Sequence, residues 1–188
     1  MDAKGREAVR LLSKPSVHAA FFLALGACFP VARPDGGKGL LQVGMAAPDL
    51  TGSTVDGGAA TLSTVRGRTA VVYFYPKDGT PGCTREACAF RDAFKKYEAH
   101  HVVIFGVSRD SEKSHRDFRT EHDLPFVLVA DEEGSVARAY GVPGAFGMTS
   151  RVTFLVGKDG RIARVWPDVD PSVHADEVLT AIDASERP

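Results

Sequence analysis

The sequence predicts a single α/β domain in which helices flank a central mixed sheet. Its 188 residues, 44% of them hydrophobic and 25% charged, fit one globular domain with a sizeable core. Strand-like and helix-like segments alternate along the chain, which favours parallel strands joined by helices. Near the C-terminus, two strand-like segments flank Lys158-Asp159-Gly160, and this turn signal predicts a hairpin that adds antiparallel strands.

The first half of the domain reads strand, helix, strand, helix, strand. Residues 70–75 (AVVYFY) form a continuous apolar run that is typical of a buried central strand. The next helix begins after Thr80, a good N-cap, with Pro81 in its first turn, and we expect it to end at Ala99. The same criteria predict three further elements: a strand at residues 102–107, a helix after the cap Ser111, and a strand at residues 126–129.

The second half reads helix, hairpin, helix. The helix is predicted at residues 135–140, and the two strands of the hairpin at residues 152–156 and 162–166. The last helix is predicted from the capping pair Asp170-Pro171 to Ile182. Upstream of the first strand, residues 51–60 are predicted as a loop or a short hairpin. The complete order, three strand–helix pairs followed by a hairpin and a helix, predicts a thioredoxin-like fold.

The N-terminal segment differs from the rest of the chain. Four basic residues among the first 14 precede residues 17–28 (VHAAFFLALGAC), which carry almost no charge. This run is too short to span a bilayer as a helix, and its basic flank is typical of a secretory signal. We therefore predict a signal peptide or lipoprotein-type signal at residues 1–29, a flexible Gly- and Pro-rich linker at residues 30–42, and the folded domain at residues 43–185.

Residues 25–28 (LGAC) resemble a bacterial lipobox, a signal whose cysteine is lipidated and becomes the new N-terminus. This resemblance predicts a lipid anchor at Cys28 and a protein of the bacterial cell envelope or periplasm. The alternative is an uncleaved apolar helix, or a start codon assigned too far upstream, in a cytoplasmic protein. The net charge of −1 predicts no nucleic-acid partner.

Of the three cysteines, Cys83 has the sequence context of a reactive thiol. It falls in the first turn of the helix after Thr80, where unpaired backbone N–H groups and the helix dipole favour an anion. The thiolate is the nucleophilic form of cysteine, so this position favours nucleophilic chemistry. Gly82 leaves room for a small substrate beside the sulfur. The alternative, a small buried apolar residue, fits poorly with a helix start between Gly82 and Thr84.

Cys88 lies five residues further along the same predicted helix. In a regular helix the two Cα atoms would be about 8.6 Å apart, whereas a disulfide requires them within about 7 Å. A bond between Cys83 and Cys88 would therefore require the helix to unwind, which suits a two-stage cysteine cycle better than a structural disulfide. The alternative for Cys88 alone is a helix residue buried beside Ala87.

The segment around Cys83 resembles the active site of peroxiredoxins. Residues 76–83 carry the pattern Pro-x-x-x-Thr-x-x-Cys. The longer run TPGCTREACAFRD at residues 80–92 is similar to the peroxiredoxin Q, or bacterioferritin comigratory protein, subfamily. The resemblance spans roughly residues 43–182, almost the whole predicted domain. One departure is residues 141–147 (GVPGAFG), which are richer in glycine and poorer in charge than the family pattern.

The resemblance implies roles for five residues. Cys83 matches the peroxidatic cysteine that attacks the peroxide O–O bond, and Cys88 matches the resolving cysteine of the intrahelical type. Thr80 matches the threonine that hydrogen-bonds the thiolate and the peroxide, and Pro76 matches the proline that shields the sulfenic acid from water. Arg151 matches a distant arginine that favours the thiolate and orients the peroxide; by its sequence position alone it would be an ordinary charge at a strand end.

The resemblance therefore implies a thiol-dependent peroxidase that reduces hydrogen peroxide and organic hydroperoxides in antioxidant defence and redox homeostasis. Thioredoxin or a similar dithiol would recycle the Cys83–Cys88 disulfide, no metal or organic cofactor is needed, and the subfamily favours a monomer. Two alternatives stay open. A thiol–disulfide oxidoreductase of the same fold would prefer Cys-x-x-Cys at this helix start. A membrane-tethered copper-binding module would need a histidine facing Cys83, and the sequence offers none at the expected strand end.

Overall fold

A computed structural model of the protein describes residues 31–58 and 60–186. The strands are β1 Ser53–Thr54, β2 Ala70–Phe74, β3 Val103–Ser108, β4 Val127–Ala130, β5 Gly144–Ala145, β6 Met148–Thr149, β7 Val152–Val156 and β8 Ile162–Trp166. The helices are α1 Pro81–Asp92, α2 Phe94–Ala99, α3 Glu112–Glu121, α4 Ser135–Tyr140 and α5 His174–Glu186. Six strands form one sheet in the order β1-β4-β3-β2-β7-β8, and β5 and β6 form a separate hairpin.

The sheet is parallel at its centre and antiparallel towards both edges. β2 pairs parallel with β3, and β3 pairs parallel with β4. β7 lies antiparallel to β2, and β8 lies antiparallel to β7. The predicted mixed sheet of a thioredoxin-like fold is therefore confirmed, and the five predicted strands end within one residue of their observed limits.

Two apolar cores lie on opposite faces of the sheet, because successive strand residues point to opposite faces. On β2, Val71 and Tyr73 join the core beneath α1, α2, α3 and α5, whereas Val72 and Phe74 join the core beneath α4. All five residues of β2 are buried. The chain that leaves β2 therefore starts from a strand that is covered on both faces.

The helix predicted from Thr80 to Ala99 is interrupted at Ala93, which is a correction to the sequence prediction. α1 ends at Asp92, and α2 starts at Phe94, so that only Ala93 lies between them. The Lys96 N–H donates to the Ala93 carbonyl at 2.9 Å, and this bond across three residues tightens the chain locally. The junction therefore adopts a tighter turn than the α-helical pattern that the sequence suggested.

The last helix, α5, begins at His174 and not at the predicted cap Asp170. The Asp170 carboxylate accepts hydrogen bonds from the N–H and the hydroxyl of Ser172 at 2.9 and 2.6 Å. It therefore closes a turn before the helix. α5 continues to Glu186, beyond the predicted end at Ile182.

Two short pairings were not predicted. Residues 51–60, predicted as a loop or short hairpin, contribute the edge strand β1, which pairs antiparallel with β4. The glycine-rich stretch at residues 141–147 supplies β5 and the turn of the small hairpin. The turn residues Phe146 and Gly147 have positive φ angles of 52° and 76°. Each strand has only two residues, too few for an alternating pattern to be recognised.

The described part of the predicted linker folds back on the domain. The Arg33 guanidinium donates to the Gly39 carbonyl at 2.9 Å, and Leu41 is only 2% exposed. The signal predicted at residues 1–29 lies outside the described residues, and the division into signal, linker and domain stays a prediction. Within the described chain, no helix combines the length and the apolar character needed to cross a membrane.

Candidate active site

Cys83 lies in the first turn of α1, as predicted. Residues 76–80, which we call the active-site turn, connect the end of β2 to this helix, and Gly79 allows the reversal with a φ of 67°. Cys83 is a free thiol, is only 2% exposed, and belongs to the core beneath α1. The sequence predicted the helix start but not this depth. A sulfur placed here is accessible only to a small reactant.

The pairing of β2 with β7 brings Arg151 to Cys83. Phe74 at the end of β2 pairs with Val152 at the start of β7, so Arg151 lies beside the chain that leads into α1. Its Nη2 donates a hydrogen bond to Cys83 Sγ at 3.3 Å. A fixed guanidinium at this distance stabilises negative charge on the sulfur.

Glu86 is a second partner of Arg151 that was not predicted from the sequence. Glu86 is fully buried, and Arg151 Nη1 donates to its Oε2. Burial raises the pKa of Glu86 to about 7, although Arg151 acts in the opposite direction. Burial also opposes the charge on Arg151, but Glu86 and Cys83 outweigh it and raise the pKa of Arg151. One feature of the sequence could have identified Glu86. It follows Cys83 by three residues, so the two side chains lie on the same face of the helix.

Thr80 and Pro76 lie at the two ends of the active-site turn, and both are partly buried. Thr80 occupies the N-cap position, but the predicted cap by its side chain is wrong. Its hydroxyl donates instead to the Lys77 carbonyl at 3.0 Å. Because that bond uses the only hydroxyl hydrogen, Thr80 Oγ1 can still accept a hydrogen bond from a bound reactant.

Gly82 faces the arginine. A Cβ atom at this position would lie 3.3 Å from Arg151 Nη2 and 3.9 Å from Pro171 Cγ. The missing side chain therefore leaves room for the guanidinium to reach Cys83 Sγ. The space that the sequence analysis assigned to a substrate at Gly82 is bordered by Arg151.

Cys88 is a free, partly buried thiol on the same regular helix. By helix geometry its Cα lies about 8.6 Å from that of Cys83, beyond the limit of about 7 Å for a disulfide. The buried Glu86 lies between the two cysteines in the chain. Residues 83–88, which we call the Cys83–Cys88 segment, would therefore have to unwind for the two sulfurs to bond.

Among the described residues, His115 and His174 are fully buried, and each has a polar neighbour. His115 Nδ1 lies 2.8 Å from Asp78 Oδ2, and His174 Nε2 lies 2.8 Å from Thr153 Oγ1. Burial lowers the pKa of His174. Within residues 31–58 and 60–186, no group of three or more His, Cys, Asp or Glu side chains is arranged to hold a metal ion.

The sequence profile of the AhpC/TSA family matches residues 43–165. Peroxiredoxin Bcp of Bacillus subtilis is 41% identical over 155 residues, which cover 78% of this chain and 99% of the relative. Chloroplastic peroxiredoxin Q of Arabidopsis thaliana is 38% identical over 155 residues, which cover 79% of this chain and 72% of the relative. The solved structure of bacterioferritin comigratory protein from Xanthomonas campestris matches with a TM-score of 0.70 and 34% identity, covering 78% of this chain and 100% of that structure.

Proposed function

The chain belongs to the AhpC/TSA family and is a thiol-dependent peroxidase similar to the peroxiredoxins Bcp and Q, and we propose that Cys83 is its nucleophile and Cys88 its resolving cysteine. The observation that carries this assignment is the contact of Arg151 Nη2 with Cys83 Sγ at the N-terminus of α1. A charged donor and a helix terminus then act on the same sulfur. The peroxidase activity is favoured over a thiol–disulfide oxidoreductase or a copper-binding module by the relatives that match.

The first step is attack by the Cys83 thiolate on the outer oxygen of a hydroperoxide. The S–O bond forms as the O–O bond breaks, which leaves Cys83 as sulfenic acid and releases an alkoxide or hydroxide that takes up one proton. Arg151 stabilises the negative charge that moves from the sulfur to the leaving oxygen. Thr80 Oγ1 accepts the peroxide O–H, and Pro76 screens the sulfenic acid from water.

The second step is condensation of the two cysteines. The Cys88 sulfur attacks the Cys83 sulfenic acid, the S–S bond forms, and one water molecule leaves. The Cys83–Cys88 segment must unwind for this step, because the helix otherwise holds the two Cα atoms too far apart. An external dithiol such as thioredoxin then reduces the disulfide to two thiols and is itself oxidised to a disulfide. Small organic hydroperoxides and hydrogen peroxide are the proposed substrates, since Cys83 is 2% exposed.

Cysteine variants test this assignment. In a coupled assay with thioredoxin, thioredoxin reductase and NADPH, Cys83→Ser is expected to abolish peroxide-dependent NADPH oxidation. Cys88→Ser should consume one equivalent of peroxide and then stop, because no disulfide forms for thioredoxin to reduce. The matched control is Cys28→Ser, which lies outside the family match and should retain full turnover. Wild-type turnover by the Cys83→Ser variant would refute the assignment.

We also propose the cell envelope or periplasm as the location, with a lipid anchor at Cys28, and a monomer in solution. The support for the anchor is the apolar run before LGAC at residues 25–28. Mass spectrometry of protein from its native host would show a diacylated Cys28 at the N-terminus. A chain that starts at Met1 would contradict the anchor, and a dimer in light scattering would contradict the monomer.

A further inference from the structure

A cluster of hydrogen bonds holds the active-site turn from outside the reacting groups. Its centre is Asp78, whose side chain is 6% exposed. Asp78 Oδ1 accepts the Tyr75 hydroxyl at 2.8 Å, while Oδ2 accepts the Ser114 hydroxyl at 2.7 Å and lies 2.8 Å from His115 Nδ1. Because an ionised carboxylate only accepts hydrogen bonds, Nδ1 carries the hydrogen of the bond with His115. Three donors therefore converge on one carboxylate.

The backbone of Asp78 is also hydrogen-bonded to the rest of the domain. Its N–H donates to Asp110 Oδ2 at 2.9 Å, and the same oxygen accepts the Ser108 hydroxyl at 2.7 Å. Ser108 is the buried last residue of β3, and Ser114 and His115 lie in the first turn of α3. The active-site turn is thus fastened to two elements that carry neither of the reacting cysteines.

This cluster holds an ionised carboxylate although it is largely buried. Burial opposes the carboxylate, but His115, followed by Ser114 and Tyr75, outweighs it and holds the pKa of Asp78 below its ordinary value. His115 is fully buried. Stability alone does not explain such a cluster, because replacing buried charged groups by well-packed apolar side chains of similar volume is often neutral or stabilising. Directional bonds contribute something that apolar packing does not, namely a fixed geometry for the turn.

We propose that Asp78 and His115 are positioning residues for the peroxide step: they fix the active-site turn, and with it the start of α1, so that Cys83 meets Arg151. The inference rests on the proposed function. A displaced helix start moves Cys83 Sγ relative to Arg151 Nη2 and Thr80 Oγ1. Since a shift of about 1 Å in a reacting group can cost 10²-fold in rate, a loosened turn slows attack on the peroxide.

The disulfide step has the opposite requirement. It needs the Cys83–Cys88 segment to leave its helical position, while the active-site turn serves as the fixed end of the moving chain. A looser turn does not hinder this unwinding. Loss of the Asp78–His115 bond therefore slows the first step without slowing the second, whereas a general loss of packing would affect both.

Stopped-flow fluorescence of Trp166 separates the two steps. Trp166 is the only tryptophan in the chain, and it contacts α1 through a series of rings. The ring centroids of Trp166 and His174 are 5.5 Å apart, and those of His174 and Phe90 of α1 are 5.8 Å apart. When reduced protein is mixed with hydrogen peroxide, a phase whose rate rises with peroxide concentration reports attack. A phase whose rate is independent of peroxide concentration reports disulfide formation.

Asp78→Asn and His115→Leu are expected to lower the second-order rate constant for attack by about 10- to 100-fold, with an unchanged or faster disulfide phase. His115→Asn places an amide N–H near the position of Nδ1 and should restore most of the attack rate. The matched control is Asp117→Asn, which breaks the exposed 2.7 Å pair with Lys113 on the same helix. This control should leave both phases at wild-type rates.

Wild-type attack rates in Asp78→Asn and His115→Leu would overturn the positioning role, and so would equal slowing of both phases. If these variants do not fold, Ser114→Ala tests the positioning role instead, because it removes one hydrogen-bond donor from the Asp78 carboxylate. The expected loss is about threefold in attack alone, and an unchanged rate would overturn the proposal. A wild-type protein without any peroxide-dependent phase would instead refute the proposed function, so the two failures are distinguishable.

Discussion

The active-site turn and the Cys83–Cys88 segment are adjacent in the chain, but different contacts hold them in place. Asp78 ties the turn to α3 and to the end of β3 through both its side chain and its backbone. Arg151, the residue before β7, contacts both Cys83 and Glu86 of the Cys83–Cys88 segment. The first region is anchored by hydrogen bonds to β3 and α3, outside the reacting helix. The second packs in the core through Cys83 and Ala87 and is hydrogen-bonded by Arg151, and in the proposed cycle it is the releasable segment.

This difference shows how one helix can serve two incompatible steps. Attack on the peroxide requires Cys83 to be aligned with Arg151, and disulfide formation requires Cys83 to leave the helix. In the proposed cycle the unwinding is confined to the residues after Thr80, so an anchored turn next to a releasable segment satisfies both requirements. Mutations in the two regions are therefore expected to affect the peroxide step and the disulfide step differently.

The largest effect is expected at Arg151, which holds the releasable segment and also stabilises the reacting charge. Arg151→Met removes both contacts at once. We expect kcat/KM for hydrogen peroxide to fall by about 10²–10³-fold, as for the loss of one preorganised donor in other active sites. Arg85→Met, at an exposed position on α1, is the control for a simple loss of positive charge and should change the rate less than twofold, about 0.4 kcal/mol. Equal losses in both variants would contradict a specific role for Arg151.

A smaller effect is expected at Thr80, where the two regions meet. Thr80→Val removes the hydroxyl that bonds the Lys77 carbonyl and that can accept from the peroxide. We expect the second-order rate constant for attack to fall by about tenfold, the usual consequence of losing one hydrogen bond at a charged site. Thr80→Ser should recover most of this rate in the same stopped-flow measurement. Recovery no better than that of the valine variant would argue against the hydroxyl.

A pH effect is expected from Glu86 in the releasable segment. Its pKa is raised from 4.5 to about 7 in the folded helix, so the carboxyl stabilises that helix in its protonated form. This contribution is fully present below about pH 4.5 and is lost as the pH rises through about 7. Unwinding, and with it the disulfide phase, should therefore become faster between about pH 5 and 8.

The comparison with Glu86→Gln isolates this contribution, because the amide does not titrate. Both proteins share any pH dependence of Cys88, so the ratio of their disulfide-phase rates reports Glu86 alone. We expect the ratio of wild type to variant to increase several-fold from pH 5 to pH 8. A constant ratio would exclude Glu86 as the titrating group.

The smallest effect is expected at Gly82. Alanine favours a helix over glycine by about 1 kcal/mol, so Gly82→Ala should make unwinding harder and slow the disulfide phase by about fivefold. The added Cβ would lie 3.3 Å from Arg151 Nη2, so the guanidinium must move by a few tenths of an ångström while it contacts Cys83 and Glu86. Attack should therefore also slow, by about threefold or less. A faster disulfide phase would contradict the unwinding step.

The part of the site that lies within one stretch of the chain, residues 80–88, could be predicted from the sequence. Pro81 and Thr80 mark the start of α1, and the spacing of the two cysteines showed that a disulfide needs unwinding. Arg151 is different, because its approach to Cys83 depends on the register of β7 against β2, and only the family resemblance pointed to it. The side-chain cap by Thr80 failed because its hydroxyl has a closer carbonyl partner in the turn.

The anchoring cluster could not be predicted from local patterns. Asp78 and His115 are 37 residues apart and meet only because β3 lies beside β2 and places α3 next to the turn. In the sequence, Asp78 looks like an ordinary turn residue, and His115 like a polar helix residue. Glu86 was overlooked for a similar reason, since a charged residue on a helix is usually solvent-exposed.

Amide hydrogen exchange by NMR tests most directly whether the turn stays anchored while the Cys83–Cys88 segment is released. It is measured in the reduced protein and after oxidation with one equivalent of hydrogen peroxide. The Thr84 N–H donates to the Thr80 carbonyl at 2.8 Å, and the Asp78 N–H donates to Asp110. We predict that oxidation removes protection from the amides of residues 84–88 while the Asp78 amide stays protected. Loss of protection at Asp78 to the same extent, or continued protection across residues 84–88, would contradict the account.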